Sequence, residues 1–370
     1  MLWEQRLCYP KRSIMMELLF TGKGVRTMLD ESNFITQRDP QGLLGIVADS
    51  PKQLTHQYEV AGPALPTVDQ IDLVVITGMG GSALAAETLK AWPGIKVPLI
   101  ISRNYTLPPC VNERTLVIAS SFSGNTEETL SALDDAKTKG TKIAVVANGG
   151  KLKERASAEN LSFLQLPDCV QPRVAANYSL KAFVTILEKT GLVTGACAEL
   201  EAVGEKYAEL GKEWAADVPT AKNPAKQLAE EIMGKTPIMY AGVLFGSAYK
   251  WKIGFNENAK NLAWCNQLPE FNHNEFIGWS SHPIDKPFAV VNLLSSFDHP
   301  RVQKRFVVSE KLLSGKRPES IDIQAKGDTL IEQMVWIELF GSMISVYVAL
   351  LNGVNPTPVD LVENFKKELG

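Results

Sequence analysis

Cysteine is sparse in this chain, and the five present, Cys8, Cys110, Cys169, Cys197 and Cys265, are odd in number, widely spaced and without a CxxC pair. Neither a disulfide framework nor a cysteine-based zinc site can be built on that spacing, and a reducing cytoplasm is the expected compartment. The four histidines, His56, His273, His282 and His299, show no metal-ligand spacing, and no metal cofactor is expected. Charge of one sign is also missing. With 38 basic against 41 acidic residues the formal net charge is -3, the signs are interleaved, and no basic stripe is offered to nucleic acid. The longest apolar run, Trp336 to Val354, is broken by Glu338, Gly341, Ser342, Ser345 and Asn352, so it reads as a buried helix and no membrane partner is expected. No GKS or GKT follows a glycine turn, which excludes a P-loop. The first 27 residues lack both a convincing export signal and a clear hydrophobic period; they are read as an extension, either disordered or lying upstream of a start at Met28.

What remains is an ordinary globular composition, 370 residues of which 45% are hydrophobic, enough for a sizeable core and for two domains. From Ile71 the chain reads as a β-branched strand, a glycine turn and a helix in "IDLVVITGMGGSALAAETLKAW". A second such unit follows in "TLVIASSFSGNTEETLSALDDAKTKG", then a third strand, "KIAVVAN". Strands alternating with helices predict an α/β fold with parallel sheets covered on both faces. After a mostly helical connection the layout recurs. "TPIMYAGVLFGSAYKWK" repeats "LVVITGMGGSALAAETL" down to the shared Gly-Ser-Ala, and "AVVNLLSSFDHPRV" repeats "TLVIASSFSGNT" with the loop "SGNT" lost. The chain is therefore read as an internal duplication whose second copy keeps the architecture and discards the loop chemistry.

In the first copy, "GMGGS" (Gly78 to Ser82) and "SFSGNT" (Ser121 to Thr126) each lie between strand and helix, where backbone N–H groups and the positive helix end favour an anion. Ser82, Ser121, Ser123 and Thr126 can donate to phosphate oxygens, and Gly80 and Gly81 admit close approach of the backbone. A sugar phosphate suits this set better than a dinucleotide, because "GMGGSA" departs from GxGxxG spacing and no acidic residue clearly ends the next strand. Glycine turns and hydroxyl caps are nonetheless common in α/β folds generally.

The second copy carries an unusual polar stretch, "NENAKNLAWCNQLPEFNHNE", from Asn256 to Glu275. Ala248, Trp251, Phe255 and Ala259 fall at helical spacing before and into it, which puts Glu257 near the end of a packed helix with an oblique, partly buried aspect. A carboxylate there can serve as a general base, and His273 can exchange protons near neutral pH. Against this, a glutamate at a helix end is usually solvated, an isolated histidine is more often structural, and Arg173 in "PRVAA" reads by itself as a surface ion-pair former.

Taken in order, "GMGGSA", "SFSGNTEET", "PRVA", "NENAK", "LPEFNHNE" and "FDHPR" closely resemble the bifunctional phosphoglucose/phosphomannose isomerases of the sugar isomerase (SIS) domain family, from about Met28 to the C-terminus. The resemblance implies two SIS-type three-layer α/β/α domains, here residues 28–190 and 191–370, and interconversion of glucose 6-phosphate or mannose 6-phosphate with fructose 6-phosphate. It further implies that Gly80, Gly81, Ser82, Ser121, Ser123 and Thr126 bind phosphate, that Glu257 is the base, and that Arg173 stabilises the enediolate. His273, supplied across a homodimer interface, and Lys366, with Lys367 as the neighbouring alternative, would help open the sugar ring; Thr357 would line the sugar pocket. Two rival readings stay open: a non-catalytic SIS module that senses a sugar phosphate, and an isomerase acting on an amino-sugar or pentose phosphate.

Overall fold

The computed structural model describes residues 27–281 and 287–369, so the expectation made for the N-terminal extension lies, apart from Thr27, outside the described residues. Two short helices, α1 (Ser32–Arg38) and α2 (Leu43–Ala48), precede the first sheet. Its elements are β1 (Leu73–Thr77), α3 (Gly80–Thr88), β2 (Leu99–Ser102), β3 (Thr115–Ser120), α4 (Glu127–Thr138), β4 (Lys142–Ala147), α5 (Gly150–Ala158) and β5 (Ser162–Gln165). The helical connection consists of α6 (Ala176–Lys189), α7 (Ala196–Lys206) and α8 (Pro224–Ile232). The second sheet follows with β6 (Thr236–Ala241), α9 (Phe245–Glu257), β7 (Trp264–Gln267), α10 (Glu275–Gly278), β8 (Phe288–Leu294), α11 (Pro300–Leu313) and β9 (Ser320–Gln324). A 22-residue helix, α12 (Leu330–Leu351), and a terminal helix, α13 (Asp360–Leu369), complete the chain.

Both sheets are parallel. The first has five strands in the order β2-β1-β3-β4-β5, the second four in the order β7-β6-β8-β9. The orders superimpose when β6 stands for β1, β7 for β2, β8 for β3 and β9 for β4, with only β5 lacking a counterpart, which is the topology a duplicated unit produces. Val74, Val75, Ile76, Leu116, Val117, Ile118, Val290 and Val291 are fully buried, as expected where helices cover both faces of a parallel sheet and strands read as continuous apolar runs. Gly140 follows the end of α4 with a φ of 67°, and its N–H donates to the Lys137 carbonyl at 3.0 Å.

The interrupted apolar run is α12, which lies in the shared core among residues of both sheets. Three of its interruptions, Glu338, Gly341 and Ser345, are contact points with α9 and with Asn258 just beyond it. Glu338 accepts from Ser247 Oγ at 3.0 Å and pairs with Lys250 Nζ at 2.8 Å. Gly341 leaves room for the Trp251 indole, whose Nε1 donates to the Ile337 carbonyl at 2.7 Å. Ser345 Oγ accepts from Asn258 Nδ2 at 2.8 Å. The polar residues at these contacts thus fasten the core helix to the helix that carries Glu257.

Candidate active site

The two loops of the first copy come together because β1 and β3 are neighbours, in register from Leu73 opposite Thr115 to Thr77 opposite Ala119. Gly78 permits this closeness: a Cβ there would meet the Ser120 carbonyl oxygen at 2.7 Å. The Phe122 N–H donates to Ser82 Oγ at 3.0 Å, joining one loop to the other. Ser121 Oγ lies 2.7 Å from Thr126 Oγ1 and 3.5 Å from Ser123 Oγ, and it accepts from the Gly124 N–H at 3.1 Å. Gly80 and Gly124 have φ of 47° and 71°, which turn the chain from strand into helix. All six expected phosphate-binding positions therefore sit around the N-termini of α3 and α4, where hydroxyls and helix ends suit an anion.

Gly81 has a separate task. A Cβ on it would stand 2.7 Å from Pro172 C and 2.8 Å from Arg173 N, so only glycine lets the 3-10 turn Pro172–Val174 press against α3. That turn delivers Arg173, whose side chain is 3% exposed, and the reading of it as a surface ion-pair former is corrected. Its Nε donates to Asn258 Oδ1 at 2.6 Å, Nη1 to Glu257 Oε2 at 3.2 Å, and Nη2 to the carbonyls of Pro356 at 2.8 Å and Thr357 at 2.9 Å. Burial lowers its affinity for the proton and Glu257 works in the opposite sense, so the guanidinium stays a fixed cation in a dry position.

Glu257 closes α9, as its spacing predicts, and its side chain is 30% exposed: one oxygen is held by Arg173 while the group remains reachable. Thr357 is buried, and its Oγ1 has no hydrogen-bond partner among the described residues. Phosphate loops, guanidinium, carboxylate and Thr357 form one continuous assembly through Gly81 and Arg173.

The other two expected residues are not joined to it within the chain. His273 is exposed at the end of the 3-10 turn Glu270–His273, and its loop is anchored by Glu275, which accepts from Tyr240 Oη and from Asn266 Nδ2 at 2.6 Å. Lys366 is exposed on α13 and pairs with Glu363 at 2.8 Å. Among the described residues no cluster of His, Cys, Asp and Glu could hold a metal ion.

Two features escaped the sequence reading. Asn258, which fixes Arg173 from one side and Ser345 from the other, had as its only signal its place in "NENAK". In the second copy, at the position that matches the first copy's anion loop, Asp298 accepts from the Val243 N–H at 2.7 Å and from Ser295 N–H at 3.4 Å, close against Gly242. A buried side-chain carboxylate thus occupies the mouth of β6, its proton affinity raised by desolvation against the pull of those N–H groups.

Comparisons with known proteins agree with this layout. Residues 221–369 match the bacterial phospho-glucose isomerase C-terminal SIS domain. A bifunctional phosphoglucose/phosphomannose isomerase of Caldicellulosiruptor bescii is 37% identical over 330 residues, 87% of this chain and 97% of that protein. A D-glucosamine-6-phosphate 4-epimerase of Sulfolobus acidocaldarius is 35% identical over 219 residues, but these are only 59% of this chain and 67% of that protein. Among solved structures, a glucose-6-phosphate isomerase like protein from Thermus thermophilus aligns with a TM-score of 0.64 at 19% identity, covering 92% of this chain and 98% of its own, a likeness of fold.

Proposed function

This chain belongs to the bifunctional phosphoglucose/phosphomannose isomerase family, and we propose that its site interconverts glucose 6-phosphate or mannose 6-phosphate with fructose 6-phosphate through a cis-enediol intermediate. The observation that carries the reading is the pairing of a reachable carboxylate, Glu257, with a buried guanidinium, Arg173, beside two anion-binding loops. The phosphate is held by Ser82, Ser121, Ser123 and Thr126 and by the N–H groups around Gly80 and Gly81. Glu257 takes the proton from C2 of the open-chain aldose and returns it to C1, while the O2 proton is lost and O1 gains one, so the net change is one of position only. Arg173 faces the oxygen on which negative charge develops, and because it is already fixed it needs no reorganisation during the step. Thr357 Oγ1, without a hydrogen-bond partner among the described residues, borders the space for the sugar.

Ring opening falls to His273 of the partner subunit and to Lys366, with Lys367 the alternative, in a homodimer whose sites are each built from both chains. Support for a subunit interface comes from the apolar residues left exposed around the His273 region and on α13, namely Leu262, Trp264, Ile277, Val307, Leu361 and Phe365. A second reading, amino-sugar phosphate chemistry, draws on the likeness to the glucosamine-6-phosphate epimerase. It is the weaker because that likeness spans a smaller share of the chain. Coupled assays with fructose 6-phosphate, glucose 6-phosphate, mannose 6-phosphate and glucosamine 6-phosphate separate the two. Turnover of glucosamine 6-phosphate alone would replace the isomerase reading, and binding without any turnover would leave only a sensor.

A further inference from the structure

Lys260 has no part in the chemistry so far, yet its geometry is unusual. It is one of two non-glycine residues with positive φ among those described, at 51°, just past the end of α9. Helices commonly take glycine in that conformation, which an L-residue adopts only at a cost. The side chain accounts for the choice. Its Nζ donates to the carbonyls of Glu257 at 2.9 Å and Asn258 at 3.3 Å, and to those of Asn355 at 2.8 Å and Pro356 at 3.2 Å. The first two belong to the negative end of α9, where a cation is favoured. The other two belong to the loop ahead of Thr357, and the Pro356 carbonyl is the same oxygen that accepts from Arg173 Nη2. A closed circuit results, from Glu257 through Lys260 to the 355–357 loop, from there to Arg173, and back to Glu257 and Asn258.

We propose that Lys260 is a positioning residue for the isomerisation, its ammonium clamping the end of α9 that carries Glu257 to the Asn355–Pro356 loop that orients Arg173. Base and guanidinium are thereby set relative to each other by a contact that never touches the sugar. Burial and the neighbouring Arg173 push the ammonium's pKa down to about 8, opposed by Asp360 and Glu257, and its three N–H groups are shared among four carbonyl oxygens. The inference rests on the reading of Glu257 as the base.

Two variants and two controls test it. Lys260→Gly suits the left-handed backbone and deletes the cation; Lys260→Met keeps the aliphatic stem. Because misplacing a catalytic group by about 1 Å can cost on the order of a hundredfold, kcat for glucose 6-phosphate should fall by at least about tenfold in both variants. The Michaelis constant should stay within about twofold, since the phosphate loops lie on other elements and their contacts are unchanged. A merely structural lysine would leave Lys260→Gly, which relieves the backbone, at wild-type kcat, and that result overturns the proposal, as does a loss confined to the Michaelis constant. Wild type and Glu257→Gln are assayed alongside. An inactive wild type or an active Glu257→Gln would remove the base reading itself, whereas normal controls with a fully active Lys260→Gly would remove only the clamp.

Discussion

At the scale of single residues, the site turns on the division of labour between Arg173 and Glu257. The guanidinium directs four of its five N–H donors to fixed acceptors, three of them outside the carboxylate, so Glu257 is steadied by one bond and keeps a second oxygen outside it. Glu257→Gln retains a carbonyl oxygen for Arg173 and nearly the same shape, but it cannot accept the C2 proton. Turnover of both hexose phosphates should fall by at least about a hundredfold while calorimetric affinity for the product stays within about threefold. Substantial residual turnover would exclude Glu257 from the mechanism. The place of Glu257 was legible in the sequence because Ala248, Trp251 and Phe255 mark a packed helix that ends beside it, and these three are buried as their spacing requires. The burial of Arg173, a site residue by resemblance alone, was not, because its partners at 257, 258, 356 and 357 lie on remote stretches of chain that only the fold assembles. Lys260 was hidden for a different reason: its reach depends on a backbone angle for which a lysine codon gives no hint.

Between elements, the decisive contact is that of α3 with the Pro172–Val174 turn. Gly81→Ala would place its methyl against backbone atoms of Pro172 and Arg173 that have no flexible end to swing aside. Relief requires the turn to move, which displaces the guanidinium. Overpacking of this kind destabilises by about 1–3 kcal/mol, so the urea midpoint should drop together with kcat. A variant with normal stability and normal kcat would show that the close approach is dispensable. The pairing of strand, glycine turn and helix was readable wherever a strand is central and apolar, as in β1, β3, β4, β6 and β8. The short strands β2, β5, β7 and β9 were not, since four or five residues with partly polar faces, such as Trp264–Gln267, carry little alternation to detect. The helix α12 was legible as buried, but the reason for Glu338, Gly341 and Ser345 appeared only where they met α9 and Asn258 just beyond it.

For the whole molecule, a site divided between two chains makes a quantitative demand. If His273 of the partner subunit serves the Glu257 of this one, mixing Glu257→Gln with His273→Ala places both lesions in one site of a mixed dimer and leaves the other intact. With equal amounts and random pairing, half the dimers are mixed, so about a quarter of wild-type activity should return after subunit exchange. No recovery after verified exchange would mean that both groups act within one chain. Duplication was visible in the sequence through the repeated Gly-Ser-Ala and Ser-Ser-Phe, and the matched strand orders bear it out. What replaced the lost loop was not visible, because Asp298 becomes meaningful only once it lies on the Val243 N–H. That carboxylate behaves as a permanently tethered ligand: it meets the Val243 and Ser295 N–H groups of the second copy before any soluble anion can. Doubling the scaffold therefore leaves the capacity undoubled. Each chain should take up a single equivalent of hexose phosphate in a calorimetric titration, with a simple one-phase isotherm, and a second equivalent bound with comparable strength would show that the internal occupant can be displaced.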